Sequence, residues 1–441
     1  MNIKNLAKKE NVDVYSYASH TLHDMEQYCG INKGGEHPKT YQSFLKLFES
    51  MPKPDDPLDS PVTVCLCYIC STVIPDYDQL RIHTSVPTLT EAGYPELQQP
   101  LVYHGGESIA LIRMKHYLQD AHYIATFNKP QSSPNSLEPS TTVLSPYLKF
   151  GCLSCRLFYF ELDKVYKTVK QHTSPPISLH GQLLWREFFY LNAYCIQNFD
   201  KMLNNKYMKQ IPWNRDEYII KLWKNGQTGY PFIDAIMTQL RIEGWIHHLA
   251  RHMVACFLTR GDLWQHWEEG VKIFDLYLLD SDWSLNNANW QWLSCSNFFY
   301  QYFRCYSPVA FGKKTDPKGV YIRKWLPQLA SYPDEYIYEP WKAPLAVQKA
   351  CGCVVGEEYP TRIVIHEEAS RVNMERMKRA YSDNASSSST TTTTTDNTAT
   401  TTTTATEHLK VQKKRSLAAA TGSSNQKKIK SFFTKSPEDG T

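Results

Sequence analysis

Apolar positions in the central part of the chain recur at intervals of three and four, the spacing of one face of an α-helix. Between Phe232 and Arg260 they fall at Ile233, Ile236, Met237 and Leu240, then at Ile246, Leu249 and Val254. Gly244 interrupts the run, and a glycine inside a helix costs about 1 kcal/mol against alanine, so two consecutive helices are expected rather than one. Helical spacing runs through residues 105–381, and long stretches alternating apolar and polar in twos are missing. That pattern predicts a mostly α, all-helical domain there.

The flanks read differently. Residues 1–50 mix short helical and strand-like pieces, and residues 51–104 read as a linker with Pro/Asp/Ser-rich joints such as PKPDDPLDSP (52–61). From Ser382 the composition collapses to Ser/Thr repeats through Thr406. Such a tract cannot bury enough apolar surface to offset chain entropy, so residues 382–441 are expected to be a disordered tail. The apolar run Val62–Val73 is too short to span a bilayer, so no membrane partner is expected. Cys65, Cys67 and Cys70 in that run lack a fourth ligand at metal spacing, so no metal is expected. The 12 cysteines follow no small-domain framework, and no signal peptide opens the chain. Reduced thiols in cytosol or nucleus fit that pattern, and a monomer is expected.

Composition changes this picture in two places. A net charge of +4 over 441 residues means that any nucleic-acid surface must be a local patch. The aromatic share is 13%, with 11 Trp and 28 Tyr, and such rings can pack, stack on bases or carry electrons. Trp213, Trp223, Trp264, Trp267, Trp290 and Trp292 crowd one part of the chain.

Three constellations could carry chemistry. His248 and His252 stand four apart, on one helical face, as a proton-handling pair, a metal site or satisfied core histidines; His247 falls on another face. Asp280 and Asp282 are carboxylates in an aromatic, apolar stretch, where burial is costly without a partner. Arg251 is the plausible partner. The acids could form a structural ion pair, or accept N–H bonds from a heteroaromatic ring to which Asn286 offers its amide. Thr141, Thr142 and Ser145, with Pro146 at the first turn, make a helix start that suits either a simple cap or a phosphate.

At these residues the sequence resembles the photolyase/cryptochrome family. The blocks are SHTLHD (19–24), TYQSF (40–44), GQLLWREFFY (181–190), GWIHHLARH (244–252), FLTRGDLW (257–264) and LLDSDWSLN (278–286). The resemblance implies an all-helical FAD-binding domain (105–381) behind an amino-terminal α/β, Rossmann-like domain, of which residues 1–50 would be a remnant. No counterpart of the first strands precedes Met1, so an amino-terminally truncated member without a complete antenna-chromophore site is expected.

Carried over by position, Thr141, Thr142, Ser145, Gln182, Arg186, His248, Arg251, Asp280, Ser281, Asp282 and Asn286 would hold FAD. Trp290, Trp267, Trp213 and Trp264 would form the electron-transfer chain, with Trp223 left to packing. The zinc reading of the histidines falls away. Within the family, YFRCYSPVAFGKKTD (302–316), YIYEPWKAP (336–344) and GCVVGEEYP (352–360) look more like (6-4) photolyases, whereas WLSCS (292–296) is shared with cryptochromes. The resemblance thus implies light-driven repair of (6-4) photoproducts in UV-damaged DNA, with a cryptochrome photoreceptor or repressor as the alternative. His248 would supply a proton and His252 would tune it. Trp185 and Trp292 would flank the flipped lesion, and Arg304, Lys313 and Lys314 would face DNA.

The tail adds a separate signal. Gln426, Ile429, Phe432 and Phe433 have the spacing of a peptide that binds the sliding clamp PCNA, seating one aliphatic and two aromatic side chains in a pocket. The clusters Lys413, Lys414, Arg415 and Lys427, Lys428, Lys430 read as a nuclear localisation signal.

Overall fold

Helices account for all the regular structure in the computed structural model, which describes residues 3–15, 17–31, 36–58, 87–96 and 100–390. Those used below are α1 (Met25–Ile31), α2 (Tyr41–Ser50), α3 (Glu107–Gln119), α4 (Ser145–Phe150), α5 (Cys155–Thr168) and α6 (Leu179–Cys195). They continue with α7 (Glu217–Asn225), α8 (Pro231–Glu243), α9 (His248–Cys256), α10 (Trp267–Tyr277), α11 (Trp283–Leu293) and α12 (His366–Thr390). Among the described residues there is no strand, only the isolated bridges Asn214–Gln265 and Val355–Tyr359. The described part of residues 1–50 therefore holds helices and loops. No helix among the described residues is long and apolar enough to cross a membrane. The run 62–73, the tail beyond Thr390, the basic clusters and the clamp-like peptide lie outside the described residues.

The chain divides into two compact units, Met1–Tyr381 and Ser382–Thr441. Within the first, local signals set the helix ends. Helix α8 starts with Pro231 in its first turn, where a missing N–H costs nothing, and stops at Gly244 in the left-handed conformation (φ 69°). The two helices expected around Gly244 are α8 and α9. Hydroxyls of Ser154 and Ser178 cap α5 and α6, accepting from Leu157 N and Gly181 N.

Two apolar cores result. One gathers Trp223, Phe232, Ile236, Met237, Leu240, Val254, Phe274 and Trp290 from α7 to α11. The other gathers Tyr28, Phe44, Phe158, Leu162, Leu183, Phe188 and Leu191 from α1, α2, α5 and α6. Helices α6 and α11 pack together, and Trp292 touches both cores.

A buried carboxylate fixes the amino-terminal segment to α6. Glu187 is fully buried and accepts from Leu22 N, His23 N and the Tyr28 hydroxyl, each at 3.0 Å. Burial pushes its pKa up, and those three donors are what make the site tolerable for a carboxylate.

Candidate functional site

Between the two cores lies a cavity of about 310 Å³, walled by α4, α6, α9, α10, α11 and the loops before α4 and α11. Every residue expected to bind the cofactor lines it: Thr141, Thr142, Ser145, Gln182, Arg186, His248, Arg251, Asp280, Ser281, Asp282 and Asn286. His252, Trp185 and Trp290 line it too.

Arg251 and Asp280 form the ion pair anticipated from burial cost. The guanidinium meets the carboxylate through both terminal nitrogens, at 3.0 and 2.8 Å, and its Nε donates to Ile246 O. Ser145 donates to the same carboxylate at 2.6 Å, so its hydroxyl completes the pair. The helix α4 that Ser145 begins is only 6 residues long and has no side-chain cap.

Asp282 caps α11 through Leu285 N and accepts from the Tyr190 hydroxyl, with His20 Nε2 at 3.8 Å. Burial would raise its pKa, but the nearby His20, the bonds from Tyr190 and Leu285 N and the charge of Arg186 hold it below the ordinary carboxylate range. The remaining polar residues are oriented by backbone. Gln182 donates to Pro176 O and Ser178 O, and Arg186 donates to His20 O at 2.7 Å. Ser281 donates to Asp275. Both N–H groups of Asn286 are engaged, with Val271 O and Asp275, so this side chain is braced against α10 rather than offering its amide to the cavity.

The histidines are three, not two. His248 and His252 meet edge to face, ring centroids 6.0 Å apart, as four-residue spacing requires. His247 was expected on another face, yet its ring lies 4.3 Å from that of His248. The reason is local: His247 is the N-cap of α9, outside the helical period, and its Nδ1 accepts from Leu249 N. His248 Nε2 is buried without a partner, and His252 Nδ1 lies 3.5 Å from the Tyr306 hydroxyl. Burial lowers the pKa of all three, with help from Lys129 and Arg251; His247 and His252 fall to about 3 and His248 lies well below the usual value. The cluster is therefore neutral at neutral pH, and an anionic guest would favour its charged form.

A stability consequence follows from the sign of these shifts. A folded-state pKa below the unfolded value means that the unfolded chain gains protons first as pH falls. Stability is undiminished above about pH 6.5 and is lost as the pH falls toward 3. For His247, which is 4% exposed, the loss at pH 5 is about 2 kcal/mol. Urea unfolding at pH 7 and pH 5 measures it, and His247→Asn, which keeps a capping side chain, is expected to flatten the difference.

The tryptophans sort in an unexpected order. Trp213 and Trp264 are in ring contact at 4.6 Å, and Trp264 Nε1 donates to Pro212 O. Trp223, which the resemblance leaves to packing, is the tryptophan whose ring meets Trp290, edge to face at 6.2 Å. Trp267 is fully buried beside His266. On α10, Phe274 meets Trp290 edge to face at 4.9 Å, and Gly270 lies so close that a Cβ there would clash with the Trp290 ring. Gly270 is one turn beyond Trp267 on the same helix face. Gly270→Ala is expected to cost about 1–3 kcal/mol by overpacking and to tilt Trp290. A melting curve and the tryptophan circular dichroism bands above the amide region read both effects.

Trp185 and Trp292 come together edge to face at 5.2 Å, with Tyr41 stacked on Trp185 at 3.9 Å and Phe299 stacked on Trp292 at 5.1 Å. Lys313 and Lys314 are exposed on the short helix Ala310–Thr315. Arg304 is half-buried, its carbonyl accepting from the buried Arg260.

Sequence reasoning missed Lys129, Tyr190 and His20. Lys129 lines the cavity with no ion pair among the described residues, and burial and Arg251 lower its pKa to about 8. No motif flags it; only its place in the loop before the Thr/Ser run does. A cavity with apolar walls (Phe189, Phe274, Leu278, Leu293), an unpartnered imidazole nitrogen, a desolvated ammonium and a fixed Arg–Asp pair suits a flat heteroaromatic group joined to an anionic tail.

Comparison with known proteins accounts for this arrangement. Residues 178–379 match the family described as the FAD binding domain of DNA photolyase. Over 383 residues the chain is 52% identical to Cryptochrome-1 of Gallus gallus, an alignment covering 86% of this chain and 60% of that protein. Over 387 residues it is 50% identical to the (6-4)DNA photolyase of Arabidopsis thaliana, covering 87% and 68%. Its fold is similar to the crystal structure of a bacterial class III photolyase from Agrobacterium tumefaciens, with a TM-score of 0.69 at 28% identity over 87% of this chain and 76% of that one. The chain spans about 60% of the length of the curated cryptochromes it matches. It belongs to the photolyase/cryptochrome family.

Proposed function

We propose that this chain binds FAD in the cavity between its two cores and repairs (6-4) photoproducts in UV-damaged DNA under light. The observation that carries the reading is the placement of His248. His248 lines the same cavity as Arg251, Asp280 and Asp282, and its Nε2 is buried without a partner, with the Trp185–Trp292 ring pair nearby on α6 and α11. Reduced and light-excited FAD supplies the electron. This chain's residues do the rest. Arg251, Asp280, Asp282 and Arg186 orient the cofactor, Lys129 offers a cation to its phosphates, and the apolar wall excludes water. Trp185 and Trp292 flank the two flipped bases of the lesion, as stacking rings do for extruded nucleotides. His248 holds a proton at Nε2 once an anionic guest has raised its pKa, and His252 positions it from one turn away. Trp290, Trp267, Trp213 and Trp264 carry the electron that returns oxidised cofactor to its working state.

Cryptochrome signalling is the second reading, favoured by the 52% identity to Cryptochrome-1. A purified-protein assay under blue light, with (6-4) and cyclobutane substrates in separate reactions, decides between them. Light-dependent loss of (6-4) lesions alone supports repair, and no loss of either lesion overturns it.

We also propose that the protein acts in the nucleus as a monomer and that its tail recruits PCNA. Gln426, Ile429, Phe432 and Phe433 supply the clamp contacts, and the neighbouring Lys/Arg clusters the nuclear address. Changing Phe432 and Phe433 to Ala is expected to abolish clamp pull-down, and retention of the clamp by that variant sinks the assignment.

A further inference from the structure

We infer that Cys29 and Cys195 are an intramolecular oxidation site, a thiol pair that closes to a disulfide and ties the amino-terminal segment to α6. Their sulfurs stand 3.7 Å apart although the residues are 166 positions apart in the chain. Cys29 is on α1 and exposed; Cys195 is the last residue of α6 and half-buried. Cys155 and Cys351 are turned to carbonyl oxygens, of His20 and Ser331, and the buried Cys256 and half-buried Cys305 thiols face each other, whereas the Cys29–Cys195 pair has an exposed member. A disulfide needs its sulfurs at about 2.05 Å, so each must move by under an ångström, within reach of a χ1 adjustment at the helix ends. The approach is already prepared. Glu187 holds Leu22, His23 and Tyr28 on α6, which fixes α1 beside the end of that helix before any sulfur reacts.

Exposure assigns the order of events. Burial and the bond to Cys29 push the Cys195 thiol up to about 12, so it stays protonated while Cys29 meets the solvent. With hydrogen peroxide as oxidant, the Cys29 thiolate attacks one peroxide oxygen and breaks the O–O bond, leaving a sulfenic acid at Cys29 and releasing water. The Cys195 sulfur then attacks the Cys29 sulfur and gives up its proton, and the sulfenic oxygen leaves as a second water. Two thiols and one peroxide become one disulfide and two waters.

The bond matters because α6 presents Gln182, Trp185, Arg186 and Tyr190 to the cavity, and Arg186 is oriented by the carbonyl of His20. A helix as short as α1, 7 residues, has no stability of its own. Closing so long a loop also removes much of the unfolded chain's freedom. The inference stands on thiol geometry and is independent of whether the protein repairs DNA.

The test uses the full chain, reduced with dithiothreitol or treated with hydrogen peroxide, then alkylated, digested and mapped by mass spectrometry. The expected result is a Cys29–Cys195 cross-linked peptide in the oxidised sample only, reversed by reductant. Melting temperature is expected to rise by about 2–5 °C on oxidation. Cys29→Ser, at an exposed position, is expected to fold, to lack the cross-link and to lose that rise. Cys29 recovered as sulfinic acid without a cross-link, bridged to another cysteine, or bridged to a second chain overturns the inference. So does an oxidised wild type whose cross-link leaves melting unchanged.

Discussion

Replacing Arg251 with alanine is expected to destabilise the protein by about 3–5 kcal/mol and to yield protein that purifies without visible flavin absorbance. The Asp280 side chain is 4% exposed and rests on two guanidinium bonds plus the Ser145 hydroxyl. Removing the guanidinium leaves a buried carboxylate with one neutral donor, and the full desolvation cost then appears in the folded state. Arg251→Ala also frees Ile246 O, which accepts from Nε in the native fold. A double variant with Asp280→Asn is expected to recover part of the stability, because the uncompensated charge is gone, without recovering flavin. Urea unfolding of the two singles and the double gives the coupling. Additive single effects show that the pair contributes no interaction of its own.

The second large effect is catalytic. His248→Asn is expected to lower light-dependent (6-4) repair by about 10²–10⁴-fold while flavin stays bound, since Arg251, Asp280 and Asp282 are untouched. Asparagine keeps polarity and bulk at the start of α9 but cannot donate a proton of useful acidity. Single-flash repair yields with prebound lesion separate this from weaker DNA binding. The pH dependence has a definite sign. Burial, His247, Lys129, His252 and Arg251 all act against a charged His248, so the protonated form is scarcest at high pH and repair is expected to fall as pH rises. Undiminished repair by His248→Asn removes the proton-donor role and leaves the flavin site intact.

Part of the site was legible because it is written at helical spacing. His248 and His252 share a face because four residues make about one turn, and Gly244 ended a helix because it alone tolerates φ 69° cheaply. The partner of Asp280 could be named because a buried acid requires one. Other assignments could not be read that way. Asn286 looked able to offer its amide, but Val271 O and Asp275 on α10 take both N–H groups. His247 was misplaced because a cap residue leaves the helical period. Trp223 and Trp290 meet across 67 positions through packing that no local pattern describes.

By itself, then, the sequence determined the helical content, the end of α8 at Gly244, the family, and which residue types line the cavity. Those depend on backbone propensity, hydrophobic period and ordered motifs, all of which act over a few residues. Only the tertiary structure decided how the site is wired. It set Glu187 against Leu22 and His23, Tyr190 against Asp282, and Lys129 among the histidines. It also put Gly270 under Trp290 and Cys29 against Cys195. The physical reason is common to all of these. Whether a histidine is charged, a carboxylate tolerable or a thiol reactive depends on desolvation and on neighbours supplied from distant parts of the chain, and both exist only once the helices have packed.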